Sequence, residues 1–106
     1  MINPTHLPIL LQQLTTELKA ATLWQEQRPT EDKLLSREPF AIDTLHPHEW
    51  LQWIFLPRMW QLLEAKQPLP RGFLLTPYFV EAWKAQSGYQ PLIEVLMEID
   101  RVAQQC

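Results

Sequence analysis

Residues 47–66 read PHEWLQWIFLPRMWQLLEAK, and this stretch decides the fold. Advancing ~100° per residue from Glu49, as a helical turn requires, puts Leu51, Ile54, Phe55 and Leu62 on one broad face. Trp50, Trp53, Pro57 and Trp60 fall on another, interleaved with Glu49, Gln61 and Glu64. Apolar character on two faces predicts a central helix with more than one neighbour. Pro47 at the first helical position and Glu49 in the first turn suit a helix start. Pro57 breaks the pattern. Its ring clashes with the carbonyl of Trp53 and removes one hydrogen bond, at ~3 kcal/mol or more in an ideal helix. The helix is therefore expected to kink near residues 53–57 or to break in two, leaving the Trp53 carbonyl in need of a donor. Arg58 falls between Leu51, Ile54 and Ala65 on the aliphatic face, where a charge needs a partner or a route to the surface. Asp43 and Glu81 are candidate partners in a buried or half-buried ion pair. A ligand-facing arginine is the alternative.

Outward from this stretch, helical spacing recurs. Leu7, Leu10, Leu11, Leu14, Leu18, Ala21 and Trp24 predict an amphipathic helix from Leu7 to about Gln25, stopped by Pro29. Residues 28–45 form a long connection, expected to be ordered and to wrap the helices through Phe40, Ile42 and Leu45, with a helical turn at Leu34 and Leu35. The second helix runs from Pro47 to about Lys66. The segment 67–72 then forms a stiff, proline-rich linker. Thr76-Pro77 starts a third helix to about Gln86, burying Phe79, Val80 and Trp83. Ser87-Gly88 stops it, with Gly88 suited to a left-handed conformation. Pro91 opens a fourth helix through Leu92, Val95, Leu96, Ile99, Val102 and Ala103. No long alternating pattern signals a strand. The expected fold is all-α: a four-helix antiparallel bundle in a single domain over 1–106, with a long ordered loop between helices 1 and 2 and a proline-kinked second helix.

The chain has 106 residues, ten prolines, two glycines and five tryptophans. Two glycines leave no room for a glycine-rich phosphate loop, and neither phosphate-binding fingerprint is present. The formal net charge is -3, and the basic residues are scattered, which speaks against direct nucleic-acid binding. The lone cysteine, Cys106, allows no internal disulfide. The first residues lack a signal-peptide pattern and no apolar run reaches the ~20 residues of a membrane span. A reducing cytoplasm is the expected address.

Chemistry-bearing clusters are few. His46 and His48 straddle a helix start, but a metal site needs three or four converging ligands, so no metal is expected. Ser36 and Ser87 lack a nucleophile elbow, and Glu31-Asp32 reads as a solvated pair. No catalytic residue and no cofactor are expected.

One block carries a resemblance. Pro39-Phe40-Ala41-Ile42-Asp43-Thr44-Leu45, the motifs E-W-L-Q-W from Glu49, L-P-R-M from Leu56 and Q-P-L-P from Gln67, and Pro77-Tyr78 together resemble the YqcC-like family of small bacterial proteins. The resemblance covers about forty residues. It implies a helical bundle and an association with tRNA pseudouridine synthase C. It does not imply synthase activity, because the synthase fold is a larger α/β domain with a catalytic aspartate motif that this chain lacks. The positions singled out are Asp43, Glu49, Trp50, Trp53, Pro57, Arg58, Trp60 and Tyr78. The first functional expectation is a non-enzymatic accessory protein that meets a protein partner, such as a pseudouridine synthase, through the tryptophan face and the Pro39–Leu45 segment. The second is a small-molecule module holding an anion in a pocket at the Pro57 kink, with Arg58 and Tyr78 as polar anchors. Closure of the tryptophan face into a homodimer is left open.

Overall fold

The computed structural model describes residues 6–67, 74–85 and 87–104. Helix α1 spans His6–Ala20 and a short α2 spans Glu31–Leu34, followed by a 3-10 turn at Pro39–Ala41. Helix α3 (Pro47–Trp50), a π-helical turn (Leu51–Phe55) and α4 (Leu56–Glu64) follow one another without a break. Helix α5 (Thr76–Ala82), a 3-10 turn at Ser87–Tyr89 and α6 (Gln90–Gln104) complete the order. Among the described residues there is no strand. The fold is all-α, with four principal helical segments as the periodicity indicates.

The core follows from the leucine stripe of α1. Leu7, Leu11, Leu14 and Leu18 are all buried, and α1 packs along α6, whose Leu92, Leu96 and Ile99 are likewise buried. Each such side chain contributes roughly 1.5–3 kcal/mol on burial. Helix α5 also packs on α6 and delivers Phe79 and Trp83 to the same core.

Two helices end in a left-handed turn without glycine. After α1, Thr22 adopts φ 60, and after α4, Lys66 adopts φ 54. Each turn closes with the same bond pair: Leu23 N–H to Leu18 O and Thr22 N–H to Lys19 O, then Gln67 N–H to Leu62 O and Lys66 N–H to Leu63 O. These are the closing bonds of a left-handed helix cap, a position usually held by glycine. The first helix therefore ends at Ala20 instead of near Gln25. Gly88, expected to be left-handed, does not adopt that conformation, and a Cβ there would meet nothing within 4 Å. A non-glycine residue in this conformation costs roughly 1–2 kcal/mol, partly offset by its smaller unfolded-state freedom. Lys66→Gly should accordingly raise stability by about 1 kcal/mol, an increase of some 4 °C in Tm by differential scanning calorimetry.

Pro57 neither breaks the second helix nor leaves it regular. The strain is absorbed one turn earlier. Leu56 N–H bonds to Leu51 O across a five-residue π turn, while Leu51, Phe55 and Leu56 keep right-handed helical angles. A wide turn before proline gives the ring room against the preceding carbonyls. It also shifts the helical phase by roughly one residue's step of ~100°. Leu51, Gln52 and Phe55 are buried within the wide turn, and Leu56 and Met59 after it. Arg58, which an ideal wheel places on the aliphatic face, is turned outward and exposed.

Three further expectations are corrected. Ile42 is 61% exposed and anchors nothing, whereas its neighbours Ala41 and Leu45 are buried. Helix α5 ends at Ala82, short of Gln86, and its Val80 is exposed instead of buried. The proline-rich linker 68–72 lies outside the described residues.

Candidate functional site

The start of the second helix is locked by reciprocal bonds. The His46 backbone carbonyl accepts the Glu49 N–H at 3.0 Å, and Glu49 Oε1 accepts the His46 N–H at 2.7 Å. A loop residue that the sequence did not mark, Gln25, is clamped onto this start. Its N–H donates to Gln52 Oε1 at 2.8 Å, and its carbonyl accepts from Gln52 Nε2 at 2.6 Å. Its side chain donates to Glu49 Oε2 at 2.9 Å and accepts from Trp53 Nε1 at 2.8 Å. Gln52 is buried, and a buried amide is retained only when paired. Glu49 and Trp53 are thus occupied by the fold itself. Burial acts to raise the Glu49 carboxyl, but the His46 N–H and the Gln25 amide outweigh it and hold it below its ordinary value.

His46 and His48 lie side by side. Their rings stack on each other, with centroids 5.7 Å apart. Among the described residues no group of three or more His, Cys, Asp or Glu could hold a metal ion. Burial lowers the His48 pKa, with Glu49 opposing and His46 reinforcing. The unfolded chain binds this proton more readily. Its contribution to stability is present above pH 6.5 and is lost as pH falls through the lowered folded value. The expected result is a Tm that drops on acidification below neutrality, with a shallower drop in His48→Gln, measured by thermal denaturation across pH.

Within the connection 28–45, Phe40 is the aromatic anchor. Its ring stacks on Tyr78 with centroids 4.2 Å apart and an interplanar angle of 5°. It meets Trp50 edge-on at 4.9 Å and Phe79 at 5.9 Å. Phe40 sits at φ 57 and Ala41 at φ 49, both left-handed. Such strain costs ~1–3 kcal/mol per residue. Aromatic pairs contribute roughly 0.5–1.5 kcal/mol each beyond area, so the three ring contacts offset a strained Phe40. Asp43, on the same connection, accepts the Ser36 hydroxyl. It does not pair with Arg58. Glu81 pairs with Lys84. The expected Arg58 ion pair is absent among the described residues, because the wide turn carries the guanidinium away from both carboxylates.

Two adjoining cavities flank Arg58. One, of about 270 Å³, is walled by Phe40, Trp50, Phe55, Met59, Leu74 and Leu75, with Ile54 and Arg58 at its edge. The other, of about 540 Å³, is lined by Leu34, Leu35, Trp53, Pro57 and Gln61 and by the pair Arg28–Glu31, which sit 3.2 Å apart. Ile54 and Arg58 belong to both. Of the residues singled out from sequence, Trp50, Trp53, Pro57 and Arg58 line these cavities. Tyr78 backs Phe40 and, through burial, has its phenol pKa raised. Trp60 packs half-buried on the core, and Asp43 lies apart from both cavities. Trp50, Trp53 and Trp60 are all half-buried, so the tryptophan face is neither a sealed core nor a free surface. No helix among the described residues is long and apolar enough to cross a membrane.

Comparison with known proteins places this architecture. The family model described as tRNA pseudouridine synthase C matches residues 6–102. An uncharacterized protein of Haemophilus influenzae is 40% identical over 92 residues, 87% of each chain. The uncharacterized protein YqcC of Escherichia coli is 38% identical over 102 residues, 96% of this chain and 92% of that one. A protein named tRNA pseudouridine synthase C from Pectobacterium carotovorum is 42% identical over 69 residues, which are 65% of this chain but 18% of that longer protein. The solution NMR structure of YqcC from E. coli superimposes with a TM-score of 0.86 over 100% of this chain and 92% of that one, at 32% identity. The chain belongs to the YqcC-like family, whose family model bears the description tRNA pseudouridine synthase C.

Proposed function

We propose that the chain is a non-enzymatic accessory protein that binds a pseudouridine synthase through the face carrying the π turn and Arg58. One observation carries this reading. A relative of this chain forms a fifth or so of a longer protein named tRNA pseudouridine synthase C. A segment joined to a larger protein works at high effective concentration beside it, and the free form then acts as a separate partner. The local chemistry supports binding over catalysis. The smaller cavity is walled by aromatic and aliphatic groups with one cation and no carboxylate or hydroxyl. Half-buried tryptophans beside exposed Leu35 and Leu74 have the composition of an interaction surface.

The test is a titration of the separately expressed synthase into this chain by isothermal calorimetry, with pseudouridine formation in tRNA measured with and without the chain. Saturable binding and a change in modification are expected. No heat and no change at any ratio would sink the reading. A second reading, capture of a small anion with an apolar body, is favoured by the cavity beside Arg58 alone. It predicts a rise in Tm with hydrophobic carboxylates that is absent in Arg58→Gln.

A further inference from the structure

We infer that the groove around Arg58 receives a short partner segment recognised by an apolar side chain set beside a carboxylate; this rests on the partner-binding reading and specifies it. The volume argues for a side chain. The apolar cavity, at about 270 Å³, has room for one bulky apolar side chain and is walled almost entirely by aromatic and aliphatic groups. It suits the single buried anchor that dominates many protein interfaces.

The charge argues for a carboxylate. Arg58 is exposed, sits at the seam of two cavities, and has no ion-pair partner among the described residues. The other arginine on the groove, Arg28, is already paired with Glu31. A guanidinium at the edge of an apolar wall, with no carboxylate bound to it among the described residues, attracts an anion. The net charge of -3 opposes a polyanion, so the fit is to an isolated acidic side chain and not to a nucleic-acid backbone. The second cavity continues past Arg58 under Leu35 and Trp53, so the occupant extends beyond one residue. The wide turn is what presents this chemistry. A regular helix would put Arg58 on the aliphatic face, and π turns concentrate at functional sites.

The test uses the full chain as bait against a random peptide display library. Enriched peptides are expected to share Asp or Glu within one helical turn of a bulky apolar residue. Arg58→Glu should weaken the best peptide about tenfold or more, and the same peptide with its acidic residue changed to Lys should regain affinity for Arg58→Glu. That rescue also shows that the variant is folded. Enrichment without a carboxylate, unchanged affinity in Arg58→Glu, or displacement of the peptide by tRNA at physiological salt overturns the inference. Failure of the partner reading looks different: the synthase titration is then silent with the native chain, while the peptide selection still reports on the groove. A synthase that binds native protein and Arg58→Glu equally well overturns the inference and leaves the partner reading standing.

Discussion

Asp100→Ala is expected to destabilise the fold by about 3 kcal/mol, the largest effect of any polar substitution considered, because two backbone donors lose one shared carboxylate. Asp100 is buried in the C-terminal half of α6. Its Oδ1 accepts the Leu75 N–H at 2.8 Å and its Oδ2 the Thr76 N–H at 2.7 Å. These donors open α5, where no intrahelical partner exists for them. The carboxylate therefore does from a neighbouring helix what a capping side chain does locally. It also fixes how α5 docks on α6. Hydrogen bonds to a charged group are worth roughly 1.5–3 kcal/mol each, and a buried donor left unpaired adds its desolvation cost. Against a typical total of ~5–15 kcal/mol this is a large fraction. Asp100→Asn keeps the shape but offers one acceptor oxygen, so about half the loss is expected. Urea denaturation followed by circular dichroism reads both values. A loss under about 1 kcal/mol in Asp100→Ala would contradict the capping role.

Gln52→Ala is expected to cost about 2–3 kcal/mol by the same logic applied to a loop. Removing the amide unpairs both backbone groups of Gln25, which its Oε1 and Nε2 now hold at 2.8 and 2.6 Å. Gln25 in turn satisfies Glu49 and the Trp53 indole, so the segment after α1 loosens as a unit. Gln52→Leu separates packing from hydrogen bonding. It restores apolar volume and leaves the Gln25 groups unpaired, so it should recover little. Hydrogen exchange at the Gln25 amide is the local readout. Protection that persists in Gln52→Leu would show that the clamp does not depend on the amide.

These two residues mark where sequence reading stopped. The leucine stripe of α1 and the apolar spacing of α6 announce themselves through periodicity, because burial repeats every turn. Gln52 and Asp100 are polar residues in buried positions, and their partners are backbone groups about 25 residues away. No spacing rule points to them. Pro57 did announce an irregularity, and its position was legible. The form it took was not, since a proline clash can be relieved by a kink, a break or a wide turn, and local sequence does not choose among them. That choice rotated the later half of the helix. It moved Arg58 from an expected ion pair with Asp43 or Glu81 to the seam of two cavities. Phe40 was legible as an anchor from its place in an apolar cluster, but its left-handed backbone was not, since glycine is the usual signal for that conformation.

We propose that this protein meets its partner on the face around the π turn. Amide and indole NMR shifts of the labelled chain, followed during addition of the synthase, test it most directly. Changes are expected at Leu35, Trp53, Ile54, Arg58 and Leu74, while Ile9, Glu17 and Glu94, which line a separate groove between α1 and α6, stay unaffected. Changes centred on that α1–α6 groove, with the Trp53 indole and Arg58 unmoved, would contradict it.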